Sequence, residues 1–271
     1  MMPVPVLLYH SIDDRASARY QPWAVSPRLF EDHMQLLADG GYTPVPMSRV
    51  VDTSSATADD LPAKPVVLTF DDGLRDFRTQ ALPILERHGF ASTLYVITRY
   101  LGGKAGWLAR QGEADRDVLS LAELRDVVAR GVECGAHSHT HPKLDELPVR
   151  KARDEIVRSR ESLEAAVEQP VRTFAYPYGY HGPRVRQLVI DAGYDGAAAV
   201  RHARSSTEDD PFALARLIVY GGTTLPALDR MLHGDGVPQA PYPAPWRTTA
   251  WRVARRTGRS VAAATRRGSP T

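Results

Sequence analysis

The chain contains a single cysteine, Cys134, so no internal disulfide can staple it and the fold does not depend on an oxidising compartment. The neighbours of that cysteine, Glu133 and Gly135, suit an ordinary buried thiol. No segment approaches the roughly 20 consecutive apolar residues that a membrane-crossing helix needs. The apolar stretch from Val4 to Tyr9 is short, lacks a basic lead-in and runs into a histidine. It therefore does not read as an export signal, and the expected location is the cytoplasm. Acidic side chains are missing from one region: residues 246–271 hold Arg247, Arg252, Arg255, Arg256, Arg259, Arg266 and Arg267 and no Asp or Glu. Without those seven arginines, 27 basic side chains face 32 acidic ones. A net acidic body of that kind argues against nucleic-acid binding.

What is present fits one large globular domain: 271 residues, 43% hydrophobic and 24% charged, enough to bury a sizeable core. The expected organisation is one domain over residues 1–233, a proline-rich linker over 234–246 and a basic tail over 247–271. The tail reads first as a solvated terminus. A sharper reading is an interfacial helix, because Trp246, Trp251, Val253 and Val261 interleave with the arginines. That would give the protein peripheral contact with the inner face of a membrane.

Within the body, apolar strand-like runs alternate with helical periodicity. Val4 to Tyr9 reads as a buried strand, and Pro27 to Gly40 as a helix with Phe30, Met34, Leu36 and Leu37 inward and Ser26 as its cap. Gly41 to Val45 reads as a short strand, and Asp52 to Lys64 as an exposed loop. Pro65 to Phe70 is the clearest strand, apolar on both faces as in parallel sheets. Strands follow at Ala91 to Thr98, Val132 to Ala136, Val171 to Tyr176 and Tyr194 to Val200. Helices fall between them, one ending at His88-Gly89, one from Leu121 to Arg130 capped by Ser120, one from Val149 to Glu168 and one from Val185 to Ala192. Repeated strand-then-helix order predicts a parallel sheet with helical crossovers, either open or closed into a barrel. Candidate chemical residues His10, Asp71 with Asp72, His137 and Tyr178 end four different strands. Convergence of that kind suits the carboxyl-terminal face of a barrel.

Two groups carry the chemistry. Thr69-Phe70-Asp71-Asp72-Gly73 ends the clearest strand, and His137-Ser138-His139-Thr140-His141-Pro142 ends a later one. Alone, Asp-Asp-Gly reads as a solvated turn and spaced histidines as a surface accident. Together they supply three ligands for a divalent ion and leave one carboxylate free as a base. Neighbours on a strand point to opposite faces, so both aspartates serve one site only where the strand breaks into the turn that Gly73 permits. His137 and His141 share a face whether the segment is helical or extended. Before Pro142, a loop or one helical turn is expected, with His139 pointing away or packed behind the site.

The Thr-Phe-Asp-Asp-Gly segment, the His-Ser-X-X-His-Pro segment and Phe174-Ala175-Tyr176-Pro177-Tyr178-Gly179 resemble, in order, the first three motifs of the polysaccharide deacetylases of the NodB homology type, carbohydrate esterase family 4. The resemblance spans roughly residues 4 to 232. It implies an α/β fold, a distorted (β/α) barrel of about seven strands. It implies Asp71 as general base, and Asp72, His137 and His141 as ligands of one divalent metal, usually Zn2+, with Co2+, Ni2+ or Mn2+ as alternatives. It also implies the backbone N–H of Tyr178 at the oxyanion, with Tyr176 and Pro177 shaping the substrate groove. Many members carry an arginine two positions before the third motif's proline, where this chain has Ala175; Arg216 is the candidate substitute, with a structural arginine as the alternative. The usual late strand ending in a catalytic histidine is absent, since His233 closes a predicted helix. Pro5-Val6-Leu7-Leu8-Tyr9-His10 is instead similar to the N-terminal strand of a circularly permuted subgroup typified by poly-N-acetylglucosamine deacetylases. That similarity makes His10 the general acid, with His181 in reserve. The implied activity is hydrolytic removal of N-acetyl groups from N-acetylglucosamine-type residues of a glycan or glycolipid. O-acetyl ester hydrolysis, a non-sugar amide substrate and a non-catalytic glycan-binding role are the alternatives.

Overall fold

The computed structural model describes residues 3–52, 61–207 and 209–240. The expected basic tail, and most of the proposed loop between Asp52 and Lys64, lie outside the described residues. Eight strands form the main sheet: β1 (Val6–Tyr9), β2 (Thr43–Pro44), β3 (Pro65–Phe70), β4 (Thr93–Val96), β5 (Glu133–Ala136), β6 (Thr173–Ala175), β7 (Gly196–Ala198) and β8 (Leu217–Ile218). Seven run in the order β7-β6-β5-β4-β3-β1-β8, every pairing is parallel, and β2 adds to the start of β3. Parallel strands need crossovers, and the helices supply them. They are α1 (Pro27–Asp39), α2 (Met47–Val51), α3 (Leu82–His88), α4 (Leu121–Ala129), α5 (Val149–Val167), α6 (Pro183–Asp191) and α7 (Leu225–His233).

The first strand in sequence is an interior strand in space. On one side β1 pairs with β3, Tyr9 opposite Phe70, and on the other with β8, Leu7 opposite Leu217. Just before β8, Leu214 bridges in parallel to Ala198 of β7, with Ala199 N–H donating to the Leu214 carbonyl at 2.8 Å. Five residues, 214–218, thus touch both edges of the curled sheet, and Arg216 sits in the middle of that seam. The expected barrel is present, distorted and closed through this one short segment.

Local sequence accounts for the supporting helices. Ser26 caps α1 by accepting the Leu29 N–H at 3.2 Å, and Pro27 occupies the first turn, where its missing donor costs nothing. Phe30, His33, Met34 and Leu37 face inward while Leu36 is only partly buried, so the buried stripe includes a histidine instead of the fourth apolar side chain. That histidine is satisfied: Nε2–H donates to the Thr223 carbonyl at 2.8 Å, and Nδ1 lies 3.3 Å from the Tyr9 hydroxyl. Ser120 and Glu123 form a complete capping box on α4. All six residues of β3 are buried, and Tyr9 stacks on Phe70 with centroids 5.3 Å apart. Each such side chain contributes about 1.5–3 kcal/mol on full burial, which fixes the strand whose end carries the aspartates. Cys134 is buried and its thiol is pushed up to about 12 by burial, as expected of an inert thiol. Residues of the expected linker begin on the body: Arg204 N–H donates to the Pro238 carbonyl and Ala240 N–H to that of Arg204. Among the described residues, no helix is long and apolar enough to cross a membrane.

Candidate active site

The ends of β1, β3 and β5 bring His10, Asp71, Asp72 and His137 to one cavity of about 290 Å³, which His141 and Tyr178 also line. Each enters from the loop following its strand. Asp72 has φ 79° and Gly73 φ 72°, so the chain turns in the left-handed region immediately after β3 and presents consecutive carboxylates to one space. Ser138 (φ 62°), His141 (φ 62°) and Tyr178 (φ 60°) share that conformation. Backbone of this kind is costly for residues with a Cβ, and here it gathers at one cavity, as strained backbone does at functional sites.

His137, Asp72 and His141 converge. The His137 Nδ1–H donates to the Ala175 carbonyl at 2.8 Å, which fixes the tautomer and leaves the Nε2 lone pair facing inward. The Nε2 atoms of His137 and His141 stand 3.2 Å apart, and Asp72 Oδ1 lies 3.8 Å from the first and 3.7 Å from the second. Two nitrogens each about 2.0–2.1 Å from a tetrahedral zinc would be separated by roughly 3.3 Å, so the pair has the spacing of ligands. Asp72 Oδ1 and His141 Nδ1 are buried without a hydrogen-bond partner. A buried carboxylate oxygen left in that state is costly unless a cation meets it. Burial and the adjacent Asp71 raise the Asp72 carboxyl to about 8, while burial lowers both His137 and His141 and keeps them neutral. The three residues fit a divalent ion in donor type and spacing, with Asp72 giving up its proton as the ion enters. Of the loop or single helical turn expected before Pro142, the loop is what forms. The segment is an irregular loop, and His139 turns away from the ligand group, its Nδ1 2.8 Å from the Thr98 hydroxyl.

Asp71 has a different partner. Arg216 donates Nη1 to Oδ1 at 2.7 Å and Nη2 to Oδ2 at 2.8 Å, and its Nε–H reaches the Ala199 carbonyl at 3.0 Å. Arg216 is fully buried, with its guanidinium 5.7 Å from the Tyr95 ring centroid. Burial alone would raise the Asp71 carboxyl, but the charge of Arg216 and its hydrogen bonds hold it well below the usual carboxylate range. Asp71 is therefore an ionised carboxylate fixed in orientation.

His10 follows β1 and packs against Trp23, ring centroids 4.9 Å apart. Burial pushes it down to about 4, against the raising influence of Asp71, and its Nδ1 has no partner. Tyr178 is 45% exposed, and its ring lies 4.7 Å from that of His141. Tyr176 and Pro177 differ from the expectation that they shape the groove. Both are buried and neither lines the cavity; the Tyr176 hydroxyl donates to the Phe212 carbonyl at 3.0 Å, and its ring stacks on His181 at 4.5 Å. They support the turn that carries Tyr178. The same stacking holds His181 outside the cavity lining, and His233 ends α7 as expected, Nδ1 3.0 Å from the Asp229 carbonyl. Leu8 and Val200 also line the cavity, and Tyr20, Trp23, Trp107, Leu108, Gln111 and Tyr180 complete it; sequence reasoning had singled out none of these last six. Trp23 lies in the short 3-10 turn Gln21–Trp23, Trp107, Leu108 and Gln111 lie in Gly106–Gln111, and the others are in loops, all too short to show a periodicity. The only signal was aromatic side chains in loops next to the strand ends.

A family model described as polysaccharide deacetylase matches residues 58–197, just over half of the chain. The chain belongs to the polysaccharide deacetylase family. The matched region holds the aspartates, the histidines and the third motif, while His10 and Arg216 fall outside it on either side. Among deacetylases and related proteins, YxkH of Bacillus subtilis (strain 168) is 26% identical over 223 residues, covering 81% of this chain and 72% of its own. The poly-β-1,6-N-acetyl-D-glucosamine N-deacetylase of Escherichia coli (strain K12) is 24% identical over 218 residues, 69% of this chain but only 32% of that protein. The Streptococcus pyogenes deacetylase PplD, solved in complex with acetate, superposes with a TM-score of 0.73 at 25% identity, covering 85% of this chain and 98% of that one. As a deacetylase family member the chain is a carbohydrate-directed hydrolase.

Proposed function

We propose that the protein is a metal-dependent N-deacetylase that hydrolyses the acetamide of N-acetylglucosamine-type residues in a glycan or glycolipid and releases acetate. The observation that carries this reading is the division of labour between neighbouring aspartates: Asp72 joins His137 and His141 with an unpartnered oxygen, while Asp71, whose Oδ2 lies 3.6 Å from His137 Nε2, has both oxygens engaged by Arg216. A divalent ion bound by Asp72, His137 and His141, with zinc favoured by two imidazoles and a carboxylate, would polarise the acetyl carbonyl and acidify a water.

The remaining roles belong to the chain itself. Asp71, kept ionised and aimed by the guanidinium fork, accepts the water's proton; each of its oxygens retains a lone pair beyond the one Arg216 uses. The Tyr178 backbone N–H donates to the oxyanion, the role its place in the third motif implies. His10 delivers a proton to the departing amine. Because burial keeps its imidazole neutral near neutral pH, the proton it gives is the one Asp71 takes from the water, and its passage through His10 to the amine returns Asp71 to the ionised state. Faces of Trp23, Trp107 and Tyr178 around the cavity suit the apolar faces of pyranose rings. The E. coli relative's poly-β-1,6-N-acetyl-D-glucosamine substrate and the acetate bound by the S. pyogenes deacetylase support an N-acetylated sugar polymer as substrate. Acetate release from N-acetylglucosamine oligomers, polymers and glycolipids by metal-loaded protein tests the proposal. Release from at least one of them is expected; release only from O-acetylated glycans would replace it with ester hydrolysis.

A further inference from the structure

Besides the Trp107 indole N–H, which is also buried without a partner, two polar groups in the cavity are left over by the chemistry above. The Tyr20 side chain is 2% exposed, its hydroxyl has no hydrogen-bond partner, and it lines the cavity that holds Asp72. The Gln111 side-chain carbonyl oxygen is likewise buried, unpartnered and in the lining. A phenol, whose ordinary pKa is about 10, keeps its proton at neutral pH, so the group is an O–H donor. The wall therefore offers one donor and one acceptor. An acetyl methyl placed there would leave both unsatisfied, which is costly for buried polar groups. An alcohol, which donates once and accepts twice, satisfies both.

The wall is built to hold these groups still. Ser17 ties the two segments together: its carbonyl accepts the Tyr20 N–H at 2.9 Å, and its hydroxyl donates to the Gln111 backbone carbonyl at 2.6 Å. Behind them, the guanidinium of Arg116 lies 5.1 Å from the Tyr20 ring centroid. Arg116 also donates to Glu113 at 2.9 Å and to Asp13, Asp76 and Ser11 at 3.1 Å each. Asp76 follows the catalytic aspartates by a few residues, so this network fixes the wall relative to the reacting centre.

We propose that the Tyr20 hydroxyl and the Gln111 side-chain carbonyl bind a hydroxyl of the sugar whose acetamide is hydrolysed, forming a sugar-recognition site on segments 13–23 and 104–118. This inference rests on the deacetylase reading above and adds the groups that tell a sugar from a bare acetyl donor.

The test measures kcat and KM of wild type, Tyr20→Phe and Gln111→Ala on an N-acetylglucosamine oligomer and on 4-nitrophenyl acetate, with metal content and thermal melting as controls. Each substitution should raise KM for the oligomer about tenfold, the worth of one neutral hydrogen bond, with kcat unchanged. Aryl acetate hydrolysis, metal content and melting temperature should not move. Unchanged KM on the oligomer, equal losses on both substrates, or loss of metal from Tyr20→Phe would overturn it. If wild type releases no acetate from any N-acetylated sugar, the deacetylase reading falls first; if it does and both variants match it, only this inference falls.

Discussion

Both terminal nitrogens of Arg216 donate to the Asp71 carboxylate, at 2.7 and 2.8 Å, within a barrel where neither residue is more than 3% exposed. The partners lie 145 positions apart in the chain. They meet because the segment carrying Arg216 closes the sheet between β7 and β8. The pair thus joins the fold's last structural step to the orientation of the proposed base.

Arg216→Met should leave Asp71 buried and unpaired, at a cost of about 3–5 kcal/mol near neutral pH. Pairing keeps the folded-state pKa of Asp71 below its unfolded value, so its stabilisation is complete above the unfolded value and disappears as pH falls through the folded one. Urea melts of wild type and variant should accordingly differ most at pH 7 and converge in strong acid. In the pH–rate profile, the acid limb of the variant should move to higher pH.

His10 gives the opposite test in acid. Its folded pKa, pushed down to about 4 by burial, lies below the unfolded value near 6.5. The unfolded chain therefore binds the extra proton first, and stability is full above the unfolded value and declines as pH falls toward the folded one. His10→Gln should remove at most about 3 kcal/mol of that acid sensitivity, measured between pH 7 and pH 4. The same residue has a kinetic signature: His10→Ala should reduce amide hydrolysis far more than ester hydrolysis, because an ester's leaving group needs the proton less. Equal losses would remove His10 as the leaving-group acid.

Chelation should destabilise the protein. A ligand at a hundred times its Kd stabilises the folded state by about 2.7 kcal/mol, a shift of a few degrees in Tm for a domain of this size. Asp72→Ala should abolish that shift and the metal content together. With the Asp72 carboxyl near 8 in the metal-free site, metal uptake at pH 7 should release close to one proton, readable in weakly buffered solution.

Gly179 ends the turn that presents Tyr178. Its φ is +69°, and an added Cβ would stand 2.6 Å from the Val200 nitrogen. Gly179→Ala should therefore destabilise by at least about 2 kcal/mol, from left-handed strain plus overpacking. Activity should fall with the displacement of Tyr178, and metal content should not.

Much of this was legible in the sequence for identifiable reasons. Pro65 to Phe70 has no polar face to confuse its assignment, and Ser26 and Ser120 mark helix starts by chemistry that acts locally. Asp71, Asp72, His137 and His141 stood out because their residue types and spacing belong to metal chemistry. Strand β8, only two residues long, has no pattern to detect, and its pairing with β1 depends on contacts some 210 positions apart in the chain. That Asp72 itself adopts φ 79°, alongside Gly73, is a conformation Asp tolerates better than most residues, but no pattern in the sequence marks it in advance. Tyr176 was assigned to the groove by motif position, yet its neighbours in space bury it; Tyr20 and Gln111 carry no motif at all.

The most direct test of the account compares wild type with Asp71→Asn, each assayed for bound metal and for acetate released from an N-acetylglucosamine oligomer. Asn keeps the volume and loses the base, while Asp72, His137 and His141 are untouched. The account predicts equal metal content and a loss of turnover of about a hundredfold or more, the typical worth of general base catalysis. Retained turnover in Asp71→Asn, or loss of its metal along with its activity, would contradict the separation of the two aspartates into base and ligand.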